Sequence, residues 1–156
     1  MNIKNSIIAV LGLIVAGFVL RACFMGPEGQ IRKQLSELEE LVSYEADEGE
    51  LASLGKVKRL GGLFTEDVAI KLTGFAGARS VAGRKQVQQA AMAARSQAGS
   101  LNASLHDITV QIAEDRRSAT VEATGRAKVG GERSSAVQDF VLTFEKTPQG
   151  WLIARV

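Results

Sequence analysis

The chain holds one histidine, His106, one cysteine, Cys23, and one tyrosine, Tyr44, so imidazole, thiol and phenol chemistry can each come from a single position. His106 is followed by Asp107, a pair that could orient an imidazole as a general base if both side chains shared a face. They lie in a stretch that reads as a strand, where neighbours point to opposite faces. No catalytic pair is therefore expected unless a bulge rotates them, and His106 reads as an exposed strand residue. One histidine and one cysteine cannot complete the usual zinc ligand sets, and a lone cysteine cannot form an intramolecular disulfide. No metal and no cofactor are expected.

Two uncharged polar residues are better placed for a pocket. Gln138 shares strand parity with Phe140, Leu142 and Phe144, so it is expected to point inward, where its amide must find hydrogen-bond partners. Tyr44, on the first helix, could donate a hydrogen bond into a pocket or sit as an amphipathic side chain at the core edge. Tyr44 and Gln138 are the pocket candidates, and no residue is assigned a catalytic role. On the opposite parity, Val137, Val141 and Thr143 stand with Asp139 and Glu145. That face is half apolar, and Val137, Val141 and Thr143 are candidates for an interface.

These side chains need a scaffold, and the last third of the chain supplies one. Between 118 and 129, Ala119, Val121, Ala123, Gly125, Ala127 and Val129 alternate with Ser118, Thr120, Glu122, Thr124, Arg126 and Lys128. That period of two predicts a strand with one dry face. Ile108, Val110 and Ile112 form a similar run, but the apolar parity changes between Leu105 and Ile108, so a bulge is expected near His106-Asp107. Gly130-Gly131 and Thr147-Pro148-Gln149-Gly150 read as turns, and a short strand from Trp151 to the end closes the set. Upstream, Pro27 suits the first turn of a helix carrying Ile31, Leu35, Leu38, Leu41 and Val42 on one face. The acidic stretch 45–50 reads as a solvated junction. Leu51, Leu54, Val57 and Leu60 predict a second helix ended by Gly61-Gly62. A short strand over 68–72 follows, then an alanine-rich third helix from the Ser80–Val87 region to about Ala98.

The 156 residues carry a net charge of +2 with acids and bases interspersed, which offers no sustained basic face for nucleic acid. Residues 7–20 are an uninterrupted apolar run. Leu20-Arg21-Ala22-Cys23 resembles a lipoprotein box, with Cys23 as the acylated residue, although Arg21 departs from that pattern. The other reading is an uncleaved anchor running on to Met25 with Arg21 snorkelling. Either way residues 1–26 are expected to tether the domain at 27–156 to a membrane, with the domain on the extracytoplasmic, periplasmic side.

The order of elements and three joints resemble the nuclear transport factor 2-like superfamily, which includes SnoaL-like and ketosteroid isomerase-like proteins. The joints are Leu63-Phe64-Thr65-Glu66-Asp67-Val68, Val81-Ala82-Gly83-Arg84-Lys85-Gln86-Val87, and Phe144 through Trp151-Leu152-Ile153. The resemblance implies an α+β fold: a cone-like roll of three helices on a curved mixed, mainly antiparallel sheet, with a pocket at its open end, here preceded by a hydrophobic N-terminal helix. It also implies dimerisation through the outer sheet face. Where isomerase-like relatives carry a general base, this chain has Ile70-Lys71-Leu72-Thr73, and Asp67 reads as a loop or cap residue. The expected function is accordingly a membrane-tethered, non-catalytic domain binding a partner protein or a small apolar ligand. An isomerase, cyclase or dehydratase using acid–base chemistry in the pocket is the alternative.

Overall fold

The computed structural model describes residues 26–73 and 79–156. The expected hydrophobic N-terminal helix, and Cys23 with it, lies outside the described residues. Among the described residues no helix is long and apolar enough to cross a membrane.

The fold is α+β. In chain order come α1 (Pro27–Val42), α2 (Glu50–Gly62), β1 (Phe64–Leu72), β2 (Arg79–Ala82), α3 (Arg84–Gln97), β3 (Leu101–Ile112), β4 (Ser118–Val129), β5 (Ala136–Thr147) and β6 (Gly150–Arg155). One six-stranded sheet has the order β2-β1-β6-β5-β4-β3. β1 and β6 are parallel, and the other pairs are antiparallel. Pro27 opens α1, where its missing N–H costs no hydrogen bond. Gly83, at φ 89°, precedes α3 and sends its own N–H to Val68 O at 2.7 Å. Arg84 then donates to Phe64 O from Nε at 3.1 Å and Nη2 at 2.7 Å, fixing the start of α3 on the start of β1.

Inward positions of the sheet meet the apolar face of α1 in the core: Val121, Leu142, Phe144, Ile153 and Trp151 pack with Ile31, Leu35 and Leu41. Full burial of each of the larger side chains contributes about 1.5–3 kcal/mol. α2 adds Val57 and Leu60, and α3 adds Val87. The rest of the predicted α2 stripe does not reach the core, since Leu51 is 86% and Leu54 46% exposed.

Several local expectations meet a different geometry. β1 begins at Phe64 instead of Val68, and Asp67 is an exposed strand residue, not a loop or cap. The segment Ser80-Val81-Ala82 is no helix entry: Arg79–Ala82 pairs with β1 as an edge strand. At the expected bulge, the β3–β4 register shifts between His106 and Thr109 and Asp107 takes φ 52°. Thr147 pairs with Gly150 around Pro148-Gln149, with Gly150 at φ 116°.

Candidate functional site

On the inner sheet face, small side chains gather around Gly125 and Ala127. In β4 the inward series runs Ala119, Val121, Ala123, Gly125, Ala127, and its β5 partners are Phe144, Leu142, Phe140, Gln138 and Ala136. In β3, Leu105 lies opposite Gly125 and Ala103 opposite Ala127. Gly125 takes no side chain because a Cβ there would run into the Phe140 ring. These small residues leave space beneath the C-terminal half of α1, and the result is a cavity of about 490 Å³. That volume lies within the range of small-molecule sites.

The wall includes Leu38 and Val42 of α1, Phe64, Ile70 and Leu72 of β1, and Phe140 and Leu142 of β5. Polar side chains are sparse. Ser104 and Arg126 border the cavity, but they pair with each other and belong to the outward parity of their strands. That leaves Gln138 and Glu39. Gln138 lines the cavity and donates from Nε2 to Thr73 O at 3.1 Å, joining β5 to the end of β1.

Glu39 is not among the sequence candidates, although a signal for it exists. It sits four residues after Leu35 and three before Val42, on the stripe that faces the sheet. Its Oε1 accepts the backbone N–H of Leu105. β3 is the edge strand opposite β2, and its free side is covered by residues at and after the end of α1. The Ser43 hydroxyl exchanges hydrogen bonds with Ala103, accepting from its N–H at 3.0 Å and donating to its carbonyl at 3.3 Å. Tyr44 exchanges backbone hydrogen bonds with Leu101 at 2.8 and 2.9 Å. Glu39, Ser43 and Tyr44 thus take alternate positions along β3, satisfying groups that an open edge would leave for another chain. Glu39 holds this edge while also facing the cavity.

Tyr44 does not reach that cavity. The strand-like bridge to Leu101 turns it towards α3, where its hydroxyl donates to Ala94 O at 3.0 Å and its ring lies 4.8 Å from the Arg95 guanidinium. Burial raises its pKa above the usual 10.0, against an opposing pull from Arg95. A smaller polar cleft, lined among others by Tyr44, Glu45, Glu48 and Arg95, lies there. Glu48 pairs with Lys56, and Arg95, its side chain 7% exposed, lies 3.9 Å from the same carboxylate and donates to Leu41 O at 2.7 Å. Backbone carbonyls take part of this load, since Lys56 also donates to Ser43 O at 3.3 Å, while the buried Glu48 Oε2 and Arg95 Nε have no hydrogen-bond partner among the described residues. Tyr44 and Gln138 therefore stand in different pockets.

The remaining candidates sit on the outer face. Val137 is 51% and Val141 58% exposed, and Thr143 is half-buried between them and β6. His106 is exposed, its Nε2 2.9 Å from Ser104 Oγ, with no carboxylate partner among its hydrogen bonds. Cys23 lies outside the described residues. No group of three metal-ligating side chains occurs among the described residues.

With an α+β scaffold of this topology and an apolar cavity under the first helix, the chain matches the SnoaL-like domain over residues 33–156, and it belongs to that family. Solved structures with the same fold include an NTF2-like protein with a cystatin-like fold from Novosphingobium aromaticivorans, 20% identical, with a TM-score of 0.62 over 90% of this chain and 85% of that one. A protein assigned provisionally as a dehydratase of the NTF2-like family, from Streptomyces avermitilis, is 18% identical, with a TM-score of 0.62 over 81% and 89%. One assigned provisionally as a polyketide cyclase, from Xanthomonas campestris, is 14% identical, with a TM-score of 0.51 over 83% and 85%. Similarity at this level concerns the fold. No curated protein sequence matches the chain.

Proposed function

We propose that the domain binds a small apolar ligand in the cavity beneath α1 and does so without catalysing its conversion. The observation that carries this reading is the wall itself. Aliphatic and aromatic side chains form nearly all of it, and its one inward carboxylate, Glu39, is engaged by the Leu105 N–H. One oxygen of Glu39 stays free of that bond, but proton transfer usually also needs a second group to stabilise the charge that develops. Among the described residues, no histidine, tyrosine or second acid lines this cavity.

The proposal extends to the setting of the domain. The apolar run at 7–20 would tether it to a membrane, either as an uncleaved anchor or through acylation of Cys23, with the domain on the extracytoplasmic side. Val137, Val141 and Thr143 would form the contact with a second copy or a partner protein. Mass spectrometry of protein purified from membranes separates an intact Met1 from an acylated Cys23 terminus, and a soluble, unmodified full-length chain would refute both.

Fluorescence titration with N-phenyl-1-naphthylamine, a neutral apolar dye, tests the ligand reading. Saturable binding lost in Ala127→Trp is expected; absence of saturable binding would refute it. A second reading, acid–base chemistry of the dehydratase or cyclase kind, draws on Glu39 facing the cavity and on the names of two similar structures. Deuterium exchange into an apolar ketone, catalysed by the protein and abolished in Glu39→Gln, would favour that reading.

A further inference from the structure

The polar groups on the wall of the cavity are few, and they are unequal in charge. Among the described residues, Glu39 is the only ionisable one of inward parity on its wall, and an ionised carboxylate accepts hydrogen bonds but donates none. One of its oxygens already holds the Leu105 N–H, so the other is left for whatever fills the space. Gln138 spends one Nε2 hydrogen on Thr73 O at 3.1 Å, and what remains of its amide is uncharged, offering one donor and one acceptor. Arg126 offers the only positive charge on the described lining, but its register partners are Ser104 and Val137 on the outer face, and it is exposed.

We infer that the cavity selects its ligand by charge, taking apolar molecules whose polar end is a hydroxyl or an ammonium group and rejecting anionic amphiphiles of the same length. A carboxylate ligand would bring like charge against Glu39 on a wall that is otherwise almost wholly apolar. A hydroxyl or ammonium group would donate to it. This rests on the cavity being a ligand site, and it adds the chemical class of the ligand and names Glu39 as the residue that sets it.

The test is displacement of N-phenyl-1-naphthylamine from the wild-type domain by dodecanol, dodecylamine and dodecanoate, each below its micelle threshold at neutral pH. The expected order places dodecanoate at least about tenfold weaker than dodecanol, with dodecylamine equal to or tighter than dodecanol. Glu39→Gln should bring dodecanoate to within about threefold of dodecanol. Dodecanoate binding as tightly as dodecanol to the wild-type protein would overturn the inference while leaving the cavity reading intact. So would dodecanoate binding lost in Arg126→Ala, which would place the head group at the outer rim. If neither the dye nor any of the three binds, the cavity reading falls and the inference with it. Should Glu39→Gln fail to fold, the wild-type order decides alone.

Discussion

The carboxylate of Glu39 on α1 accepts the backbone N–H of Leu105 on β3, a link across 66 residues of sequence that helps cover the β3 edge of the sheet beside the cavity. Removing the acceptor leaves a partly buried N–H without a partner, which costs about 1–3 kcal/mol. Glu39→Ala should therefore lower the thermal midpoint of the domain, and the Leu105 amide should exchange faster with deuterium. Glu39→Gln keeps an acceptor oxygen and should recover most of the loss. Equal midpoints for Glu39→Ala and wild type would show that the edge is held without this contact.

Gly125 should be intolerant of even one methyl group. A Cβ there meets the Phe140 ring, and forcing extra atoms into a packed site typically costs about 1–3 kcal/mol. Gly125→Ala should destabilise the domain and, by pushing Phe140 into the cavity, weaken dye binding. Gly61→Ala is the control: its Cβ would meet the flexible Gln88 side chain, which can swing away. Urea midpoints for the two variants should separate clearly; equal midpoints would contradict this account of the packing.

Tyr44 gives the domain an alkaline limit. Burial raises its pKa above 10.0, so at high pH the unfolded chain loses the tyrosine proton before the folded one does. The folded state then binds more protons, and stability must fall as pH rises. That contribution is complete below pH about 10 and is lost as pH climbs through the folded-state value. Thermal midpoints at pH 9 to 11 should drop more steeply for wild type than for Tyr44→Phe, and parallel curves would contradict this. At neutral pH, Tyr44→Phe should cost about 0.5–1.5 kcal/mol through loss of the bond to Ala94 O.

The outer face makes a separate prediction. If Val137 and Val141, both more than half exposed, meet a second copy, Val137→Lys with Val141→Lys should shift the domain to monomer in sedimentation velocity with its thermal midpoint nearly unchanged. A wild-type domain that is already monomeric at high concentration would remove the homodimer from the proposal.

Much of this architecture is legible in the chain, and the exceptions have physical causes. Period-two alternation exposes β4, and the phase change after Leu105 exposes the bulge at Asp107, because both are local consequences of one buried face. β1 reads as too short because Glu66 and Asp67 are adjacent and both exposed, which breaks alternation; the β1–β6 register shifts between Phe64 and Ala69, and that irregularity accommodates them. β2 has four residues, three of them exposed, so it carries no periodic signal. Leu51 and Leu54 keep helical spacing but lie at the end of α2 that extends past the core.

The candidate site is less legible. Gln138 can be placed by parity, since its strand neighbours are apolar. Glu39 escapes notice because a charged residue on an apolar stripe reads as an interruption, and its reason for being there, the Leu105 N–H, lies far away in sequence. Tyr44 is misplaced for a related reason: its direction is set by pairing with Leu101 and stacking under Arg95, neither of which its own neighbourhood announces.

The cavity under α1 is the centre of the account, and titration of the purified domain with N-phenyl-1-naphthylamine, alongside Ala127→Trp, tests it most directly. The account predicts saturable binding to the wild-type domain at one dye per chain, abolished when the indole fills the space beside Ala103, with folding of the variant verified by circular dichroism. Binding that never saturates, or that survives unchanged in a folded Ala127→Trp domain, would contradict it.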